Sequence, residues 1–135
     1  MSERVFMDSS FWILLRDDKE PEHGRIVDIA RQLLTNRTQL VITELILAET
    51  QAYFCRSRLR SIQILDDFEN NRALHCEFAT PPDLTAAIQL LRKHRDKAWS
   101  LCDALSFSIM RRLGLRKAAS VDHHFRQVGE FEIIC

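Results

Sequence analysis

Short apolar runs recur along the chain, each too brief for a helix and each followed by a longer stretch of helical periodicity. Residues 4–8 carry Val5, Phe6 and Met7 up to a pair of serines and predict a buried strand. "QLVIT" at 39–43, "ALHCEF" near 73–78, "AASVD" at 118–122 and "FEII" at 131–134 predict four more. Between them, Ile26, Ile29, Ala30, Leu33 and Leu34 recur at i, i+3, i+4, i+7 and i+8, which predicts a helix over 25–35 that "TNRT" stops. "TPPDLTAAIQLLRKHR" starts a helix after a Pro-Pro break, with Thr80 or Asp83 able to cap it. Ser100 caps a helix that runs to Leu113, where Gly114 supplies the stop.

Strands that alternate with helices predict an α/β fold with a mainly parallel sheet of about five strands, covered by helices on both faces. The 135 residues suit a single domain, 1–135, with no repeat or low-complexity linker dividing it. Such sheets bind ligands beyond the carboxyl ends of their strands, where the strand order reverses. On this reading Asp8 and Asp122 each close a strand and point to that edge.

One segment breaks the pattern. Phe11 to Leu15 are consecutive apolar residues in the helix expected after Asp8. A helix turns about 100° per residue, so these five cannot share one face. Either the helix is buried on both sides or it offers an apolar surface to a partner.

Composition narrows the field only slightly. Hydrophobic content of 46% and charged content of 28% are ordinary for a globular protein, and the formal net charge is zero. No global field therefore advertises a nucleic-acid or membrane partner. No apolar stretch approaches the length of a membrane span, so no membrane partner is expected. The cysteines at 55, 76, 102 and 135 make no C-x-x-C pair and no zinc-like spacing. Free thiols in the cytoplasm are the expectation.

Four acids stand out, and each has a plain structural role available. An ionised carboxylate in an apolar run, as at Asp8, is costly to bury unless something pairs with it; helix capping is its plain role. Glu49 is flanked by Leu45, Ala48, Ala52 and Tyr53 at i−4, i−1, i+3 and i+4, which predicts that it faces the core. The alternative is a rotated helix, with Leu47 and Phe54 offering a stripe on the far side. Asp103 follows Ser100 by three residues, the S-x-x-D form of a capping box. Asp122 precedes His123 and His124 and can also cap; adjacent histidines point apart and make a poor chelating pair. Helix N-termini and strand C-termini share one edge of a parallel sheet, so Asp8, Asp103 and Asp122 should converge. Two carboxylates about 4 Å apart repel by roughly 4 kcal/mol at an effective dielectric near 20. Such a group calls for protonation or a cation, and all-oxygen ligation suits Mg²⁺ or Mn²⁺.

In that order and with those flanks, the acids resemble the PIN-domain nucleases, particularly the VapC-type toxins of bacterial toxin–antitoxin pairs. The matching stretches are "VFMDSSFWILL", "VITELILAET", "DKAWSLCDALSFSIMRRLG" and "SVDHHFRQVGEFEII", which together span nearly the whole chain. The resemblance implies a three-layer α/β/α sandwich and a metal-dependent endoribonuclease that cuts RNA phosphodiester bonds. It implies Asp8, Glu49, Asp103 and Asp122 as the acidic quartet, with Mg²⁺ or Mn²⁺ on Asp8, Asp103 and Glu49 and with Asp122 acting through water. Ser9 and Ser100 are supporting residues: Ser9 stands where a threonine is frequent and keeps a hydroxyl at the site. Glu44 replaces a position often held by Asp, Asn or Ser. The implied partners are an RNA substrate, a cognate antitoxin protein and a second copy of the chain.

Two rivals are weaker. A haloacid-dehalogenase-like phosphatase needs a second Asp where Ser10 stands. A non-catalytic receiver-like or RNA-binding module with a Mg²⁺-binding acidic pocket has a suitable length. A receiver, however, needs its phosphorylated Asp after a middle strand, where this chain has Thr43 and Glu77.

Overall fold

The structure, a computed structural model, describes residues 2–135. Five strands are present: β1 (Arg4–Met7), β2 (Gln39–Ile42), β3 (Leu74–Cys76), β4 (Lys117–Ala119) and β5 (Glu132–Ile134). Seven helices join them: α1 (Ser9–Arg16), α2 (His23–Thr35), α3 (Glu44–Tyr53), α4 (Arg58–Asn70), α5 (Pro81–Lys93), α6 (Leu101–Leu113) and α7 (His123–Gln127). All pairings are parallel, in the order β3-β2-β1-β4-β5, with Val5 opposite Leu40 and Met7 opposite Ala119.

That order has a physical consequence. From β1 to β2 to β3 the chain steps one way across the sheet; from β3 it returns past β1 to β4 and β5. Parallel crossovers are right-handed, so reversing the direction of travel sends the helices to the other face. Accordingly α1 packs on α2, α3 and α4, while α5, α6 and α7 form a second group. The sheet between them is apolar on both faces: Val5, Phe6, Met7, Val41, Ile42, Ala118 and Ala119 are all at most 1% exposed. This is the expected α/β/α sandwich. The order reverses between β1 and β4, which opens a crevice beyond Met7 and Ala119.

Four expectations need correction. "AASVD" does not extend to Asp122, because β4 stops at Ala119. The Ser120 hydroxyl takes the Asp122 backbone N–H at 3.0 Å, a local bond that competes with the ladder. Asp122 therefore caps α7 rather than closing a strand. In α3 the buried residues are Ile46 and Thr50, whereas Ala48, Glu49, Ala52 and Tyr53 are exposed. The helix is rotated so that Thr43, Ile46 and Thr50 face inward, with the Thr50 hydroxyl bonded back to the Ile46 carbonyl at 2.7 Å. The apolar run of α1 is no docking surface: Phe11 and Trp12 are fully buried, and Ile13, Leu14 and Leu15 pack on the core. Exposed large apolar side chains occur instead on α4, at Leu59, Ile62 and Leu65, and at Phe78, Leu84 and Leu101. Finally, His123 and His124 do not diverge, as the site geometry below makes plain.

The caps behave as their residue types dictate. Thr80 with Asp83, and Ser100 with Asp103, form reciprocal capping boxes on α5 and α6. Gly114 ends α6 at φ 69°, a left-handed position that disfavours any side chain. No helix among the described residues is long and apolar enough to cross a membrane.

Candidate active site at the switch point

Asp8 leaves β1 at the crevice and is held there from both neighbouring segments. Its backbone N–H donates to the Ala119 carbonyl at 3.0 Å, which extends the β1–β4 ladder by one bond. Its carboxylate Oδ2 accepts the Ser10 hydroxyl at 2.7 Å, the Ser120 hydroxyl at 3.1 Å and the Ser10 backbone N–H at 3.4 Å. The last of these makes Asp8 the N-cap of α1, so its plain role is real. Its other oxygen, Oδ1, forms no hydrogen bond among the described residues. The side chain is only 4% exposed. Burial pushes its pKa from 3.8 up to about 6; the two serine hydroxyls oppose the rise, and the charges of Asp122 and Asp103 add to it. That electrostatic response brings three of the four predicted acids into one site.

Asp103 enters from the first turn of α6. Its Oδ2 accepts the Ser100 backbone N–H at 3.0 Å, and its own N–H donates to the Ser100 hydroxyl at 3.0 Å. The cap uses only Oδ2, which leaves Oδ1 with no hydrogen bond among the described residues. Asp122 caps α7 by accepting the His124 backbone N–H at 3.0 Å. The Asp122 carboxylate then draws both rings that follow it. His124 Nδ1 lies 3.3 Å and His123 Nδ1 3.6 Å from Asp122 Oδ1, and the ring centroids are 4.3 Å apart. His124 Nδ1 is also 3.0 Å from Asp103 Oδ2. It is buried, and it meets neither carboxylate at hydrogen-bonding angles.

Glu49 reaches the site by a different route from the one its flanks suggested. It stands on the solvent side of α3, and the Ser9 hydroxyl donates to its Oε1. Cys102, beside Asp103 at the start of α6, joins it to the other acids. Burial raises the Cys102 thiol pKa, and Glu49, Asp8 and Asp103 each reinforce the rise. Ser9 thus orients an acid, and Ser100 serves through the Asp103 cap. Glu44 acquires a role outside the quartet: its carboxylate accepts the Ala79 backbone N–H at 2.8 Å and ties α3 to the loop before α5.

Ser10, Ser120, Cys102 and His124 were not among the predicted site residues. Ser10 stands beside Asp8 in sequence and is a recognisable Asx-type partner. Nothing local marks Ser120, which reaches Asp8 only because β4 pairs with β1.

Two groups of side chains bear on a cation. Asp8, Asp103 and Glu49 all act on the Cys102 thiol with their charges, but among the described residues they do not bring three ligand atoms within 4.8 Å of one another. Asp122, His123 and His124 offer ligand atoms all within 4.8 Å of one another at the rim. The first group is all carboxylate, with Asp8 Oδ1 without a partner, and suits a hard ion, whereas the second adds imidazole nitrogens that suit softer transition ions.

Comparison with known proteins adds four findings. The PIN domain profile matches residues 5–131. The 23S rRNA-specific endonuclease VapC20, in two strains of Mycobacterium tuberculosis, is 27% identical over 131 residues, covering 96% of this chain and 97% of the relative. The crystal structure of M. tuberculosis VapC20, described as a sarcin-ricin loop cleaving toxin, matches the fold with a TM-score of 0.83 at 24% identity, covering 97% and 99% of the two chains. VapBC2 from Rickettsia felis, solved bound to a DNA fragment from its promoter, matches with a TM-score of 0.70 at 13% identity over 97% of each chain.

Proposed function

The chain belongs to the PIN domain family, and from that premise we propose that it is a VapC-type endoribonuclease, the toxin of a toxin–antitoxin pair, acting through a divalent ion at Asp8, Glu49, Asp103 and Asp122. The observation that carries the site assignment is Asp8: a carboxyl buried at the switch point, raised to about 6 by burial and by two neighbouring acids, with one oxygen left without a partner. A buried carboxylate pressed by like charges is a poor stabilising element and a good cation ligand.

Asp8, Asp103 and Glu49 would hold the ion, with Mg²⁺ or Mn²⁺ suited to their oxygens. When bound, such an ion supplies Lewis-acid polarisation of the scissile phosphate and eases deprotonation of water. The remaining work falls to the chain. Ser10 and Ser120 fix Asp8 Oδ2 and so aim Oδ1 into the crevice. Ser9 holds Glu49 in place from its neighbour helix. Ser100 fixes one oxygen of Asp103. Asp122, half-buried at the rim, orients the attacking water or takes its proton. His124 places its Nδ1 between Asp103 and Asp122, 3.0 and 3.3 Å from their carboxylates.

The partners follow the same reading: an RNA substrate, a cognate antitoxin and a second copy of this chain, in the cytoplasm. The exposed Leu59, Ile62 and Leu65 on α4, together with Phe78, Leu84 and Leu101, offer apolar surface for protein partners. The deciding experiment is cleavage of single-stranded and looped RNA with Mg²⁺, with Mn²⁺ and with EDTA, followed by mapping of the RNA ends. Asp8→Asn, Asp103→Asn and Glu49→Gln should each drop cleavage to background. Full activity in EDTA, or in Asp8→Asn, would sink the assignment. Phosphorylation of the protein by a small phosphodonor without RNA cleavage would favour the receiver-like alternative.

A further inference from the structure

The end of the sheet opposite the acids is basic. Beyond the N-termini of β1, β2 and β3 lies a cavity of about 400 Å³, lined by Arg4, Arg37 and Arg72 with Ser2, Thr38 and Gln39 among the rest, and no acid is part of its wall. We propose that this cavity is a phosphate-binding site, filled either by a phosphodiester of a bound RNA strand or by free phosphate.

The topology builds it. Arg4 opens β1 and stands in register with Gln39, which opens β2. Arg37 lies in the turn between α2 and β2, and Arg72 in the turn between α4 and β3. Three arginines thus line one cavity whose wall includes no carboxylate. Five of the other arginines are ion-paired, Arg16 with Asp67, Arg25 with Glu22, Arg60 with Asp18, Arg111 with Glu130 and Arg112 with Asp83, and the unpaired remainder do not share a wall of this cavity. Among the described residues, Arg4, Arg37 and Arg72 form no ion pair. Glu3 is adjacent in sequence, but Lys117 holds its carboxylate at 2.8 Å on the other side of β1. Arg4 adds a second sign, because its Nε is buried without a hydrogen-bond partner. A buried donor left unpaired is destabilising, and a ligand oxygen would satisfy it. The guanidinium fork matches phosphate in geometry as well as charge.

A zero net charge conceals this local separation, with Asp8, Asp103 and Asp122 at one end of β1 and Arg4, Arg37 and Arg72 at the other. A strand of four residues is only about 13 Å long, so a polyanion of modest length can reach from one end to the other. The RNA source rests on the nuclease reading; the free-phosphate source does not.

The test uses the full chain with Arg37→Gln, Arg72→Gln and the double variant, both side chains being exposed and outside the acid site. RNA binding is measured in EDTA over a KCl series with a long labelled single strand. Inorganic phosphate binding is measured by calorimetry, and cleavage of a trinucleotide with Mg²⁺. The double variant should bind the long RNA about tenfold more weakly and lose about 1.4 from the log–log salt slope, at about 0.7 per contact on a single strand. Trinucleotide cleavage should not change. Phosphate binding that disappears in the variant while RNA affinity stays the same supports the site with free phosphate as its ligand. Equal RNA affinity, salt slope and phosphate binding in parent and variant overturn it. Failure of the nuclease reading is seen separately, as absence of cleavage in every protein, and leaves the binding comparison intact.

Discussion

Replacing Asp8 by Asn should stabilise the metal-free protein at neutral pH, although it removes a charge from the N-cap of α1. The folded-state pKa of about 6 lies above the ordinary 3.8. The folded protein therefore holds this proton more tightly than the unfolded chain does. The stability linked to that proton is fully present below 3.8 and is lost as pH rises through about 6. At 1.36 kcal/mol per pH unit, the loss amounts to about 3 kcal/mol by neutral pH. With Asp8 only 4% exposed, solvent does little to screen it. Asn removes the charge and caps a helix about as well as Asp. Its amide N–H must find an acceptor, and the Ser10 and Ser120 hydroxyls can rotate to provide one, at a cost of about 1 kcal/mol if the fit is imperfect. The net expectation is about 2 kcal/mol, or a rise of about 6–10 °C in melting temperature for a domain of this size. The assay is thermal melting by circular dichroism from about pH 4.5 to pH 8, in EDTA and in Mg²⁺. In EDTA the gap between variant and parent should open as pH rises through about 6. In Mg²⁺ it should close, because the parent gains by mass action and the variant has lost a ligand. A variant that melts at or below the parent in EDTA at neutral pH refutes the reasoning. So does a gap that ignores pH.

Three further outcomes follow from the same geometry. Because a cation binds only the ionised carboxylate, Mg²⁺-dependent cleavage should rise with pH through about 6, as a titration of activity at fixed low Mg²⁺ will reveal. Asp83 is buried, which pushes its pKa up, but the Arg112 guanidinium and the Thr80 bonds hold it below the ordinary value; Arg112→Ala should cost about 2–3 kcal/mol in urea melts, less than a fully buried pair because Arg112 is a third exposed. Trp12 is 1% exposed and its indole N–H donates to Asp67 at 3.0 Å, so Trp12→Ala should cost about 3–5 kcal/mol and unfold the domain rather than merely weaken a complex.

Local signals carried a definite share of this protein. Strand–helix alternation predicted the parallel α/β sheet, and residue type alone placed the Ser100–Asp103 box and the Gly114 stop, because caps and turns are settled within a few residues. Strand ends at Met7 and Ile42 fell within a residue of expectation for the same reason. The order β3-β2-β1-β4-β5 was beyond local reach, since it depends on pairings between distant segments, and it alone decides that Asp8 meets Ser120, Asp103 and Asp122. Hence the raised pKa of Asp8 is a tertiary property written over an ordinary capping aspartate. Glu49 makes the point from the other side: its flanks predicted an inward face, yet Ile46 and Thr50 are buried instead, and it reaches the site across solvent through Ser9. Helical periodicity in α3 admits two faces, and only the packing of α1 and α4 against it chose between them. The apolar run of α1 was likewise ambiguous until helices covered both its sides. Charge shows the limit most plainly: a composition summing to zero says nothing of where charges lie, and folding puts Asp8, Asp103 and Asp122 at one end of β1 and Arg4, Arg37 and Arg72 at the other.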